Sequence, residues 1–260
     1  MPFPRGEISD MSSAPHSAMP ANAARYSPLY RQIKRLLISS LESGEWRPGE
    51  AIPSEMDLAA RFKVSQGTVR KAIDELSAEN LLIRRQGKGT YVATHSEPLA
   101  QFRFLRLRPL AGEDEYPETR LIDFRRVRAS GDTARILGLK KGESVVVLRL
   151  ILAFRGTPTV LDEISLPGSL FRGLSAARIS SYPGSLYNLF ETEFGTRMIR
   201  AEEQIRAVPA DESAAEVLGV AVGILLLCVD RVAFTYGDRA VECRRGLYRT
   251  DQHYYANTLG

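Results

Sequence analysis

The sequence predicts an α+β protein in two parts: a small helical unit carrying a β-hairpin, then an antiparallel sheet with helices. Three observations predict it. Apolar residues recur at helical spacing three times between residues 29 and 76. Two short strand-like runs then flank Gln86-Gly87-Lys88-Gly89. Beyond residue 101 the chain repeats itself at a constant offset of 81 positions. The length, 260 residues, is comfortable for two domains. Hydrophobic residues at 44% and charged residues at 25% rule out a collagen-like, wholly disordered or disulfide-scaffold chain. No run approaches the ~20 apolar residues that cross a bilayer. Residues 1–26 lack a signal peptide's apolar centre, so a cytoplasmic protein without membrane contact is expected.

Residues 1–26 are rich in Ala, Ser, Pro and Met without apolar period, and are expected to be disordered. Ser27 is a candidate cap and Pro28 suits a first helical position. Leu29, Ile33, Leu36, Leu37 and Leu41 then form an expected inner stripe, stopped at Gly44. Ser54 caps a second helix, with Asp57 three residues on as in a capping box and Leu58 and Phe62 facing inward. Ser65 caps a third, whose Val69, Ala72, Ile73 and Leu76 form one buried stripe. Leu82-Ile83-Arg84-Arg85 and Thr90-Tyr91-Val92 read as paired strands. Three helices and a basic hairpin make a winged helix-turn-helix over residues 27–93, and residues 94–101 read as a linker.

Residues 102–260 hold the repeat. Ile136-Leu137-Gly138-Leu139 matches Val217-Leu218-Gly219-Val220, and Gly142 matches Gly223. Val145 to Leu148 match Leu226 to Val229, Gly156 matches Gly237, and Val160 matches Val241. Each copy reads as short helix, glycine turn, long strand, tight turn and return strand. Two related hairpins in one antiparallel sheet, with helices on one face, are expected. Between the copies Ser185 caps a helix with Leu186, Leu189, Phe190 and Phe194 in a stripe, ended by Gly195. Tyr254 and Tyr255 are expected to cover the sheet edge. Cys228 and Cys243 read as reduced thiols, with a disulfide between them as the alternative. No Cys/His cluster has metal-site spacing, and His16, His95 and His253 stand alone without an assigned role.

Net charge is +4, and its placement matters more than its size. Residues 27–93 hold 11 basic and 8 acidic residues. Residues 58–73 and 80–96 contain no acid, yet carry Arg61, Lys63, Arg70, Lys71, Arg84, Arg85 and Lys88. That pattern fits a polyanion. A helix enters a major groove about 12 Å wide only if its leading residues are short and polar. Gly67 allows close approach, while Ser65, Thr68 and the helix N-terminus suit phosphates. Gln66 is matched to adenine and Arg70 to guanine. Lys71, Arg84 and Arg85 suit phosphates, and the tip Gln86-Gly87-Lys88 suits a minor groove.

Residues 28–92 resemble the winged-helix domain of the GntR family of bacterial transcription regulators. The strings are Pro48-Gly49-Glu50, Ile52-Pro53-Ser54-Glu55, Val64-Ser65-Gln66-Gly67-Thr68-Val69-Arg70-Lys71-Ala72 and Arg84-Arg85-Gln86-Gly87-Lys88-Gly89-Thr90. Many members carry Arg at the position of Gln66 and some at that of Met56, so base preference here differs from theirs. Roughly residues 102–259 resemble the effector domain of the HutC subfamily, called UTRA, which shares its fold with chorismate lyase. Leu166-Pro167, the turn before Pro158, and Val241-Glu242 through Tyr248-Arg249-Thr250-Asp251 carry that match.

The resemblance implies a repressor that binds a palindromic operator as a homodimer through double-stranded DNA contacts, without a cofactor. It also implies a small-molecule pocket in the second domain. Relatives that sense sugar phosphates grip the phosphate with two arginines at the positions of Leu150 and Leu152. Strand alternation puts these with Phe154 on one face, and an apolar face offers phosphate no charge-assisted bonds. A phosphosugar effector is therefore not expected. Asp162, Glu242 and Tyr248 stand where the family has pocket residues, with Arg149 and Arg244 expected on the other face. Two other readings stay open: a second domain that only dimerises, and an enzyme like the lyase. No nucleophile–base pair, metal cluster or phosphate loop is legible, which points away from an enzyme.

Overall fold

The computed structural model describes residues 27–95, 104–113, 115–140 and 142–257. The expected disordered extension, residues 96–101 of the linker and Phe102 lie outside them. Two compact units divide at Ala93 and Thr94.

The first unit has α1 (Leu29–Glu42), α2 (Glu55–Phe62) and α3 (Gln66–Ala78), then β1 (Leu82–Arg85) and β2 (Gly89–Val92). Ser27 does not cap α1: Pro28 holds the cap position without a side-chain bond, and the Ser27 carbonyl accepts from Gln32 Nε2 instead. The buried residues of α1 are Ile33, Leu37, Ser40 and Leu41. Leu29 and Leu36, expected inside, are 50% and 49% exposed. They lie a full heptad apart on one edge of the stripe, away from the buried line of Ile33, Leu37 and Leu41. The α3 stripe is as expected: Val69, Ala72, Ile73 and Leu76 are completely buried. Lys63 closes α2 in the left-handed region. Both strands pair in register, Leu82 with Val92 through Arg85 with Gly89.

The second unit is a six-stranded antiparallel sheet with helices. It contains β3 (Leu107–Pro109), β4 (Glu118–Arg128), α4 (Gly131–Ile136), β5 (Ser144–Phe154), β6 (Thr157–Pro167), α5 (Ala176–Ser181), α6 (Leu186–Phe194), β7 (Arg200–Pro209), α7 (Glu212–Leu218), β8 (Leu225–Phe234), β9 (Ala240–Tyr248) and β10 (His253–Tyr255). The sheet order is β4-β5-β6-β9-β8-β7. The repeat is visible as two units of strand, helix, strand, strand that meet at β6 and β9. It reaches one strand further upstream than the sequence match. Leu150 pairs with Asp162 and Arg231 with Arg244, so the copies are offset by 81 positions in the first strands but 82 in the second. The match of Val160 with Val241 is therefore one residue out of register. Val160 pairs with Leu152, and the residue in that place in the second hairpin, paired with Ala233, is Glu242. A one-residue slip in a strand moves a side chain to the other face, so the correction decides which residues meet.

Helices cover both faces, not one. Val146, Leu148, Leu150 and Leu152 pack with Phe190 and Leu189 of α6. Alternate residues, such as Leu161 and Leu226, pack on Ala214, Ala215 and Leu218 of α7. Val145 and Val147 pack on Leu137, just after α4. Ser185 caps α6 and Gly195 ends it in the left-handed region, as expected. Tyr255 and Tyr254 do not cover the main sheet as a pair: β10 joins β3 in a small separate sheet. Tyr254 is half exposed, while the Tyr255 hydroxyl donates to Glu203 on β7. Both cysteines are free thiols. His95 and His253 are buried, His95 against the Met198 carbonyl and His253 against the Phe154 ring.

Ile73→Ala removes a fully buried side chain at the centre of the first unit. It should cost about 2–5 kcal/mol. Denaturant unfolding of the full chain checks this; a loss below about 1 kcal/mol would mean that the site collapses around the gap.

Candidate functional site

The polar face of the first unit is organised from α2. The Ser54 hydroxyl accepts from Asp57 N–H while the Asp57 carboxylate accepts from Ser54 N–H, so this start is closed reciprocally. That places Glu55 at the first helical position. Its carboxylate receives Gln66 Nε2 at 3.2 Å, Arg70 Nε at 2.9 Å and Arg84 Nη1 at 2.9 Å. Arg84 also donates to Asp74 at 2.7 Å. One acid thus ties α2, α3 and β1 together. Partial burial raises the Glu55 carboxyl, but the bonds from Arg84, Arg70 and Gln66 outweigh it and hold the group below the usual carboxylate range.

The remaining candidates sit on the same helix and hairpin. Ser65 Oγ accepts from Thr68 N–H at 3.2 Å and lies 2.8 Å from Thr68 Oγ1. A side chain added at Gly67 would meet only Ser65 Oγ at 4.0 Å, so that surface is open. Lys71 Nζ lies 4.1 Å from the Tyr30 ring centre, and the Arg85 guanidinium 4.5 Å from that of Tyr91. Stacking of this kind steadies a long cationic side chain at a wet surface. Gln86, Gly87 and Lys88 form the exposed hairpin turn, where Gly87 has φ +69°. Sequence reasoning missed the part played by Glu55. Its only signal was an acid directly after a capping serine.

The second unit contains a cavity of about 500 Å³ between the inner face of the sheet and α5 and α6. Leu150, Leu152, Asp162 and Tyr248 line it; Phe154 does not. Glu242 lies behind the lining, fully buried, accepting from the Tyr187 hydroxyl at 2.8 Å and from Arg244 Nε at 3.0 Å. Arg244 does not face the other side. It lines the cavity, and its Nη1 donates to Asp162 Oδ2 at 2.9 Å. The one-residue slip in the second hairpin accounts for this, because it brings Arg244 opposite Ile164 on the inner face. Arg149 does lie on the other face, donating to Ser213 of α7 at 3.2 Å. Arg231, which the sequence did not single out, also lines the cavity and donates to Glu203 and to the Phe104 carbonyl.

The repeat explains this division. Leu121 pairs with Leu150 in one copy where Glu203 pairs with Arg231 in the other. An apolar pair in one copy is therefore an ionic pair in the other. Gly246 lets Tyr248 and Asp162 pack as they do. A Cβ there would stand 2.4 Å from the Tyr248 ring and 2.7 Å from Asp162 Oδ1. Burial pushes the Asp162 carboxyl up, against the pull of Arg244 and Arg231.

Comparison with known proteins fits both units. Residues 29–92 match the model described as bacterial regulatory proteins, gntR family, and residues 113–254 match the UTRA domain. The chain belongs to the GntR family. It is a transcription regulator built from a helix-turn-helix domain and a UTRA domain. The transcriptional regulator SmoD of Agrobacterium fabrum is 31% identical over 196 residues, 75% of this chain and 81% of that protein. The histidine utilization repressor of Klebsiella aerogenes is 42% identical over 86 residues, 33% of this chain and 34% of that one. The crystallised ligand-binding domain of a GntR-family regulator from Bordetella bronchiseptica is 47% identical. It covers 60% of this chain and 96% of its own, with a TM-score of 0.58. The α3 and hairpin strings fall inside the first match, and the residues lining the cavity fall inside the second except Phe104 and Leu105.

Because the folded Glu55 carboxyl titrates below its unfolded value, its bonds stabilise the protein fully above that unfolded value. The contribution is lost as pH falls through the depressed value. The gap in Tm between the parent and Glu55→Gln should therefore shrink from pH 7 to pH 3. An equal gap at both would show that the charge on Glu55 is not what holds Arg70 and Arg84.

Proposed function

We propose that this chain is a cytoplasmic homodimeric repressor whose residues 27–93 bind a palindromic operator and whose residues 102–260 bind an effector and dimerise. A twofold dimer presents two copies of α3 to half-sites related by the same axis. The observation that carries this reading is the fixing of Gln66, Arg70 and Arg84 on the single carboxylate of Glu55. It pre-orients a glutamine and an arginine on an exposed helix start, which are the groups that read adenine and guanine edges in a major groove. Ser65, Gly67 and Thr68 give that start a small profile. Lys71, Arg84 and Arg85 serve phosphates, and Gln86, Gly87 and Lys88 reach the minor groove. Relatives named repressors support the sign of control, among them NagR of Bacillus subtilis and the Escherichia coli regulator of fructoselysine utilization.

The cavity in the second domain is the effector site in this reading, with Leu150, Leu152, Asp162 and Tyr248 lining it and Glu242 behind. Binding there can move the operator equilibrium only by as much as the effector prefers one arrangement of the dimer. In this reading the cavity senses a ligand, and its inner-face ionic groups are held in place by one another, Arg244 by Asp162 and Glu242.

Arg70→Ala should weaken binding to the operator by about 1–3 kcal/mol while leaving binding to random duplex nearly unchanged. Competition titrations measure both, and equal losses would assign Arg70 to phosphate. Operator affinity should also fall steeply as salt rises, because phosphate neutralisation releases counterions. A flat response across 50–200 mM salt would contradict a cationic docking face.

A further inference from the structure

The cavity has a chemical signature of its own, beyond its place in the fold. Its two inner-face guanidiniums are already committed. Arg244 is bonded to Asp162 and Glu242, and Arg231 to Glu203 and the Phe104 carbonyl. Two cations therefore face three carboxylates, all within the inner layer of the sheet. A phosphate ester would have to break these pairs, or enter beside them with its charge unmatched, and buried charge without a partner is costly. An ammonium would meet Arg231 and Arg244 at the same floor. Arg120 also lines the cavity, but from an exposed position where water screens it.

One group remains unsatisfied. Asp162 is 1% exposed and is among the lining residues, and its Oδ1 has no hydrogen-bond partner among the described residues. Such an acceptor calls for an O–H or N–H donor. Gly246, the cross-strand neighbour of Asp162, lets this oxygen lie close to the backbone, where a Cβ would stand 2.7 Å away. The start of α6 at Ser185 also lines the cavity, and a helix start favours an acceptor oxygen. A hydroxyl supplies donor and acceptor at once without adding charge. The other wall, with Leu121, Leu150, Leu152 and Leu186, is apolar and suits a carbon skeleton.

We infer that the cavity takes an uncharged, hydroxyl-bearing small molecule, one of whose O–H groups donates to Asp162 Oδ1. This rests on the proposed reading that the second domain binds an effector. The test is thermal unfolding of the full chain with a deproteinised metabolite extract of the bacterium that encodes it. Ion exchange splits the extract into neutral, anionic and cationic fractions. The neutral fraction should raise Tm by a few degrees through linkage. Asp162→Asn should lose that rise while the variant still binds operator DNA. A rise carried by the anionic or cationic fraction overturns the assigned class but leaves an effector-binding domain standing. A variant that responds as the parent does overturns the role of Asp162. No rise from any fraction removes the effector reading itself, and this inference with it. The fraction experiment on the parent chain decides the ligand class even if Asp162→Asn fails to fold.

Discussion

A single carboxylate fixes the geometry on which the reading of this protein depends. Glu55 stands at the first turn of α2 and accepts from side chains of α3 and β1. The helices are packed by apolar burial, with Leu58, Val69, Ile73 and Leu76 inaccessible to solvent. Burial sets where the backbones lie but is non-directional, so it cannot aim a long arginine. A shared acceptor can, because charge-assisted bonds are short and directional. The acid also cancels part of the positive charge of the free face. It thereby exchanges some general attraction to polyanions for definite orientation, a trade that serves selectivity more than affinity.

The second domain solves a different problem with the same means. Its sheet is made of two related halves, and the apolar pair Leu121–Leu150 of one is the ionic pair Glu203–Arg231 of the other. Arg231, Arg244, Asp162, Glu203 and Glu242 are all removed from bulk water to some degree, which costs free energy unless they bond one another. They do so almost completely. The exception is Oδ1 of Asp162, a residue of the cavity lining. A buried network with one open valence specifies a ligand by what it lacks.

Much of this was legible in the residues. The capped starts at Ser54, Ser65 and Ser185 were readable because a short hydroxyl before an apolar stripe has few other uses. The stripe of α3 and the hairpin about Gly87 followed from spacing alone. The repeat was readable through its aligned glycines, since turns with positive φ restrict the choice of residue. What escaped was whatever depends on counting across a turn. A one-residue slip in the second hairpin put Arg244 on the inner face and displaced the match at Val160. Helices on both faces were missed because the repeat marks a helix in each copy but not the face of the sheet on which it packs. Glu55 and Arg231 escaped because their partners are distant in sequence, and no local pattern marks a long-range ion pair.

The most direct test of the central claim is selection from a pool of random duplexes by the purified full chain, followed by sequencing. The account predicts enrichment of a short inverted repeat, with half-sites spaced for two copies of α3 on one face of the duplex. A pool that stays random after repeated rounds at low ionic strength, with and without the metabolite extract, would contradict it.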